Sequence, residues 1–469
     1  MKINQLTQAI TLTLILGGCS LAPKYETPAV PMAEQWIGVA LAEQNQQGTN
    51  NVSATELGWR EFFTDARLQK LIETALTYNH DLKKAALNVE MAQAQYGISK
   101  ADRLPMLGLS AGAKRSRQGK IMGRSNISNA YNVGLGISNF ELDFFGRVKN
   151  QSETALNKYL ATKEARDAAQ LSIINTVAKT YYQWQVAKEL KDLSQKTLSA
   201  RKKTYQLTLL RFREGIASGT DLSTTKSSVA TAESAYQQQI RNTQQAENAL
   251  AMLVGQPIAK LNLPDGKTLS KQFTDKVLFT DVPSKVLLNR PDIRQAEYQL
   301  KSANANIGVA RARLFPSISL TANTGYASGE LNNLISDSTR LWSIGPALNL
   351  PIFDMGKRKA GVTISEIQKK IAVENYLQAV QSAFRDVNDA LVAKQTLSKQ
   401  YQADKKAQKA TAQTLRLVQL QVREGLANGL NLLDVERANF AMQQGILATQ
   451  LKILNNQVDL YTALGGGLH

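Results

Sequence analysis

Leu210-Arg-Phe-Arg-Glu-Gly-Ile-Ala-Ser-Gly219 and Leu420-Gln-Val-Arg-Glu-Gly-Leu-Ala-Asn-Gly429 lie in register, 210 positions apart. Three further matches keep the same order. Residues 140–147 face 350–357, aligning Gly146 with Gly356 and Arg147 with Lys357. Upstream the offset becomes 211: residues 97–105 face 308–316, each ending in proline, and residues 79–82 face 289–293. Four matches in one order point to a duplicated unit of about 200 residues, and hence to pseudo-symmetry.

What surrounds the quoted stretch decides the fold. Residues 147–214 and 357–424 are two proline-free tracts of 68 residues each. Apolar residues recur in them at spacings of three and four: Ile174, Val177, Tyr181; Val186, Leu190, Leu193; Tyr205, Leu209, Phe212; Val380, Phe384, Val387, Leu391. This is a coiled-coil-like stripe, and a helix of that length extends about 100 Å at 1.5 Å per residue. Glycines at 215 and 219, and again at 425 and 429, interrupt the pattern, which then resumes to Val254 and Leu464. Each half therefore holds a long helical hairpin that reverses inside the quoted stretch. Each half also opens with a shorter helix, expected over 65–102 and 292–313, the latter with Pro291 at its start, where proline is tolerated.

Between the short helix and the hairpin the period changes to two. Ile318, Leu320, Ala322, Thr324 and Tyr326 share one face, with Ser317, Ser319, Thr321, Asn323 and Gly325 opposite. Trp342, Ile344, Pro346, Leu348 and Leu350 repeat the alternation, as do Leu107, Leu109, Ala111, Ala113 and then Tyr131, Val133, Leu135, Ile137 in the first half. Such segments are strands. They fit transmembrane strands with a wet lumen, and equally a soluble hairpin covering a core. If they span a membrane, four strands cannot close in one chain, and open edges are not tolerated in lipid. The chain must then oligomerise: two copies give an eight-stranded barrel filled by side chains, three give twelve strands and a passage.

Composition narrows the classes. The chain has 469 residues, 43% hydrophobic and 20% charged, with mean hydropathy −0.27. No apolar run approaches the roughly 20 residues of a spanning helix, which excludes a helical membrane protein. One cysteine and two histidines exclude a disulfide framework and leave too few ligands for a Cys/His zinc site. His80 and His469 read as solvated, the eight methionines form no cluster, and no catalytic constellation appears. No metal, cofactor or enzymatic activity is expected. The formal charge of +18 would suggest nucleic acid, but no aromatic–basic stacking platform accompanies it. Much of it is local instead: residues 196–214 carry six basic side chains against one acid, and residues 394–424 seven against two. Lys114, Arg115, Arg117, Lys120 and Arg124 crowd the loop of the first strand pair. They could meet lipopolysaccharide phosphates if that loop is extracellular, or simply be solvated.

At the start, Lys2, a short apolar run and Leu16-Gly17-Gly18-Cys19 resemble a lipoprotein signal with its lipobox. The resemblance implies cleavage before Cys19, diacylglycerol and an acyl chain on that residue, and, with Ser20 following, the outer membrane as destination.

The chain resembles a known family over nearly all its mature length. Val282-Pro283-Ser284, Leu287-Leu288, Asn289-Arg290-Pro291-Asp292-Ile293, Ala296-Glu297, Ile307-Gly308 and Phe315-Pro316-Ser317 are similar to the central signature of the outer-membrane efflux lipoproteins, the OprM-like (NodT-type) branch of the TolC family. Trp59, Phe63, Asp65, Leu68, Asn79 and Asp81-Leu82, then Asn431-Leu432-Leu433-Asp434 and Leu460 to Gly467, extend the likeness. It implies an α+β membrane protein: a homotrimeric twelve-stranded β-barrel, four strands per chain, continuing into a long periplasmic α-helical barrel. The implied organisation is a signal peptide at 1–18, an acylated segment at 19–60, a first repeat at 61–258 (strand pair 104–143, helical hairpin 147–254), an equatorial linker at 259–290 and a second repeat at 291–469 (strand pair 314–353, helical hairpin 357–464). The implied partners are a periplasmic membrane-fusion adaptor protein, an inner-membrane pump of the RND type and outer-membrane lipid, with no nucleic acid.

The resemblance also assigns sites. The tips Arg213, Glu214, Gly215, Gly219 and Arg423, Glu424, Gly425, Gly429 would dock the adaptor, although as residues they are also ordinary helix stops. Leu430 and Asp434, four apart on one helix face, would form stacked gate rings, although as residues they also read as a helix N-terminal leucine with an acid favoured by the helix dipole. Asp221 occupies an acidic position after the first tip that takes part in closure in TolC. Asn431 stands where TolC has a second aspartate and Val422 where it has a tyrosine, so a tyrosine-linked lock does not carry over. The function implied is passive conduction of drugs or other small toxic molecules out of the periplasm. The competing readings are an exit duct for type I protein secretion and a non-conducting trimeric coiled-coil scaffold.

Overall fold

The computed structural model describes residues 20–30, 57–117, 127–272, 284–427, 429–466 and 468. The expected signal peptide, Cys19, Lys120, Arg124, Asn428 and His469 lie outside the described residues. In chain order the elements are α1 Trp59–Phe62, α2 Ala66–Tyr78, α3 His80–Ala101, β1 Leu107–Arg117, β2 Ile127–Glu141, α4 Arg147–Arg213, α5 Gly219–Val254, α6 Pro291–Ala312, β3 Ser317–Ser328, β4 Arg340–Asn349, α7 Lys357–Arg423 and α8 Gly429–Ala463, with short 3-10 turns between them.

The repeat is visible in the backbone itself. Helices α4 and α7 are both 67 residues long, and α3 and α6 are both 22. Among the described residues the glycines with positive φ fall into three pairs 210 apart, Gly146 and Gly356, Gly215 and Gly425, Gly255 and Gly465. Each pair stands at the start or stop of a matching helix, where only glycine adopts the left-handed conformation without strain.

One expectation fails. A single helix over 65–102 does not form, because the chain leaves the helix at Asn79 with ψ 127°. The Asn79 side-chain oxygen accepts the N–H groups of Asp81 and Leu82 at 2.8 and 3.0 Å, and its amide donates to the Leu253 carbonyl at 2.8 Å. A capping asparagine with a tertiary partner thus outweighs a helical pattern that continues past it.

The chain divides into two compact units. The first comprises Met1–Ala29, Leu87–Glu164 and Arg294–Gln378 and contains the sheet, four antiparallel strands in the order β1-β2-β3-β4. A bulge between Ile137 and Phe140, with Asn139 at φ 51°, returns Phe140 to the face opposite Leu320. In the same unit residues 20–25 lie along α6 and the start of α4. Ser20 donates to Asn150 at 2.8 Å, Asn304 to the Pro23 carbonyl at 2.8 Å, and the Tyr25 hydroxyl to Glu297 at 3.4 Å.

The second unit comprises Val30–Ala86, Ala165–Ile293 and Ala379–His469. Its core holds Ile174, Val177, Tyr181, Val380 and Val387, with Phe62 stacked on Tyr461 at 4.0 Å. Buried Asp65 accepts from Tyr181 at 2.8 Å, from the Arg67 N–H at 2.9 Å and from Gln272, which pins the connecting segment around 267–272 to α2 and α4. Burial along the stripe fades toward the hairpin reversals. Leu207, Leu210 and Phe212 on α4, and Leu417 and Leu420 on α7, are exposed in the single chain.

Candidate functional site

The sheet has two chemically distinct faces, fixed by its register. Leu107, Leu109, Ala111 and Ala113 stand opposite Ile137, Leu135, Val133 and Tyr131. These continue through Ala322, Thr324 and Tyr326 on β3 to Ile344, Trp342 and Arg340 on β4. The other face carries Gly108, Ser110, Gly112, Gly134, Gly136, Asn323, Gly325, Ser343 and Gly345. Alternation of this kind gives one face to lipid and one to water. Glycine is required where the backbones are closest: a Cβ on Gly325 would come within 2.3 Å of the Val133 carbonyl oxygen. The edge strands β1 and β4 each pair on one side only. At the strand ends that join helices, Leu104, Met106, Ile352, Phe353 and Met355 are exposed. Among the described residues no helix is long and apolar enough to cross a membrane.

The second unit contains the two reversals, built alike. At the first, Ile216 donates to the Arg211 carbonyl at 2.8 Å and Gly215 to Phe212 at 3.0 Å. At the second, Leu426 donates to Gln421 at 2.8 Å and Gly425 to Val422 at 3.3 Å. Both are Schellman motifs, which satisfy the last helical carbonyls. Ser218 then caps α5, and Asp221 completes a capping box by accepting from the Ser218 hydroxyl and N–H at 2.7 and 3.1 Å. The Ser218 hydroxyl, and then its N–H, hold the Asp221 carboxyl below its usual range. Asp221 thus has a local partner within its own turn. Arg423 pairs with Glu424 at 3.2 Å, both largely exposed. The turn apices carry apolar side chains that the sequence reading passed over, Ile216 at 70% and Leu426 at 81% exposure. Turn residues with no core to enter are the signal that could have flagged them.

Leu430 and Asp434 lie one turn apart on α8 and both are exposed, while Leu432 and Leu433 are buried. Asp434 lies 3.7 Å from Arg437 in an exposed pair. Two residues beyond Asp434, Glu436 forms an ion pair with Arg201 of α4, and their side chains are only 12% and 6% exposed. Burial raises the Glu436 carboxyl despite the opposing pull of Arg201, and burial lowers the Arg201 guanidinium despite Glu436. This buried pair ties the first turns of α8 to the first hairpin. Sequence reading missed it, because 235 positions separate the partners (436 against 201).

The sequence profile described as outer membrane efflux protein matches the chain twice, over residues 71–256 and 282–466. The two matches begin 211 positions apart (282 against 71) and end 210 apart (466 against 256), the offsets of the repeat. The probable efflux pump outer membrane protein TtgC of Pseudomonas putida KT2440 is 40% identical, over 100% of this chain and 96% of that protein. The cation efflux system protein CusC of Escherichia coli is 37% identical, over 97% of each. Among solved structures, the open state of the Neisseria gonorrhoeae MtrE outer membrane channel superposes with a TM-score of 0.85 at 42% identity, covering 96% of this chain and 99% of that one.

Proposed function

The chain belongs to the outer membrane efflux protein family, and from that premise we propose how its parts work as the outer-membrane channel of a tripartite efflux pump. The observation that carries the reading is the two-faced sheet with both edges unpaired. Its apolar face suits hydrocarbon, its glycine, serine and asparagine face suits water, and the unpaired edges demand partner copies in lipid. Three copies supply twelve strands, enough for an aqueous lumen. The helical hairpins continue the passage as an α-helical barrel in the periplasm. Conduction is passive, and cargo is selected by the inner-membrane pump of the RND type.

The hairpin reversals form the docking end for a membrane-fusion adaptor. Arg213, Glu214, Arg423 and Glu424 supply charge there, Ile216 and Leu426 supply apolar contact, and Gly215, Gly219, Gly425 and Gly429 shape the turns. Exposed apolar apices beside charge suit protein contact. Leu430 and Asp434 form the gate rings of the resting channel, with Asp221 shaping the neighbouring turn. Cys19 carries diacylglycerol and an acyl chain. The fixing of Ser20 on Asn150, four residues past Gly146, supports an anchor close to the helix-side ends of the strands. The efflux names of the relatives favour small-molecule export over type I protein secretion, and the two-faced sheet favours a pore over a coiled-coil scaffold.

The test joins native mass spectrometry of the purified protein with planar-bilayer conductance. Trimers conducting steady current are expected after mild opening of the gate. Dimers, or trimers without any conducting state, would refute the reading.

A further inference from the structure

Residues 104–140 contain no aspartate or glutamate, yet they carry Lys114, Arg115, Arg117, Lys120 and Arg124. Lys120 and Arg124 lie outside the described residues, but strand register assigns the other three. Lys114 stands on the small, polar face with Gly112 and Ser110. Arg115 and Arg117 stand on the apolar face, in line with Leu107, Leu109, Ala111 and Ala113 and opposite Asn129 and Ile127. Arg340 stands on the same face of β4, two residues before Trp342 and opposite Tyr326. All three arginines are exposed and occupy the loop-side ends of their strands, Arg115 and Arg117 beyond the level of Tyr131, and Arg340 beyond Trp342 and level with Tyr326.

The helix-side end of the same sheet behaves differently. There Arg147 holds Glu141, Arg358 holds Asp354 at 2.7 Å, and Arg311 holds Glu366 at 2.9 Å. Among the described residues Arg115, Arg117 and Arg340 have no carboxylate partner within the protein. The acids of the second strand-pair loop are Glu330, which accepts from Asn333 at 3.4 Å, and Asp337, which opens the 3-10 turn ahead of Arg340. Neither pairs with an arginine.

Strand order brings these strand ends to one seam. With β1 and β4 at opposite edges, closing a barrel from identical copies sets β4 of one protomer against β1 of the next. The loop-side start of β4, with Arg340, then borders the loop-side end of β1, with Arg115 and Arg117. The triad faces outward, at the level where an aromatic belt meets lipid headgroups. Planar guanidinium groups bind phosphate oxygens in pairs.

We propose that each subunit seam carries a phosphate-binding site on the outer wall of the barrel, made by Arg115 and Arg117 of one protomer and Arg340 of the next, for the phosphorylated glycolipid of the outer leaflet. This rests on the trimeric-barrel reading. The site holds the headgroup where aromatic side chains already fix the barrel's height, and it bridges the one strand junction that no covalent chain spans.

The test uses the full-length trimer in detergent with purified lipopolysaccharide as probe, and native mass spectrometry to count bound lipid. Replacing all three arginines by glutamine should weaken binding about a hundredfold. Because one site is shared, R340Q alone and R115Q/R117Q should each remove most of that binding. Wild-type affinity in the triple variant would overturn the site, as would equal displacement of lipopolysaccharide by phosphatidylglycerol. Additive losses from R340Q and R115Q/R117Q would overturn the shared seam. Conductance of the same samples in phosphatidylcholine bilayers separates the two readings: a wild type that forms no conducting trimer removes the barrel, and the site with it, whereas a conducting triple variant with unchanged lipid binding removes the site alone.

Discussion

The Arg201–Glu436 pair sets up the sharpest mutational test. Both side chains are nearly inaccessible, at 6% and 12%, and they join α4 to α8 two residues past Asp434. Glu436→Gln leaves a buried guanidinium without its counter-charge, and Arg201→Met leaves a buried carboxylate. Removing one member of a buried pair is expected to cost about 3–5 kcal/mol, whereas the exposed Arg437–Asp434 pair, at 63% and 66% exposure, is worth about 0–1 kcal/mol. The first figure corresponds to roughly a hundredfold to a few thousandfold increase in local opening. Hydrogen exchange read peptide by peptide over residues 429–445 should show that gain for either single variant and none for Arg437→Ala. The double variant Arg201→Met/Glu436→Leu, which removes both charges, should return to within about 1 kcal/mol of the parent or exceed it. Neutral single variants, or a double variant as damaged as the singles, would refute the reasoning.

Other expectations concern gate, sheet and tip. Leu430→Ala or Asp434→Ala should raise single-channel open probability in bilayers, and unchanged gating would remove the ring assignment. Gly325→Val places a side chain 2.3 Å from the Val133 carbonyl oxygen and should lower the temperature at which the trimer dissociates on a gel; an unshifted trimer band would contradict the β2–β3 register. Ile344→Arg, on the apolar face well inside β4, should destabilise the inserted barrel by about 2–4 kcal/mol, the cost of an arginine near the bilayer midplane; equal stability in a reversible refolding titration would place that face away from lipid. Ser218→Ala removes the hydroxyl that chiefly depresses Asp221. With Ser218 present, the cap's contribution holds above pH 3.8 and fades as pH falls through the lower folded-state value. In the alanine variant it should fade at higher pH, as read by exchange at residues 219–222.

Sequence alone determined the parts that depend on periodicity and local backbone chemistry. A proline-free heptad-like stripe dictates a long helix whatever surrounds it, and a glycine in the left-handed region dictates where it stops. Hence both 67-residue helices and both reversals were legible, as were the alternating strands, because side chains two apart must share a face. Duplication was legible because both copies keep the same glycines. Tertiary structure decided what depends on partners distant in the chain. Periodicity could not reveal that Asn79 breaks a helix, since the Leu253 carbonyl it bonds lies 174 positions away. Nor could it pair Arg201 with Glu436. Register across four strands had the same character. One sequence gives the alternation of each strand, but only inter-strand hydrogen bonds set Arg340 in line with Tyr326, Val133 and Ala111 and leave β1 and β4 as the edges that other copies must cover.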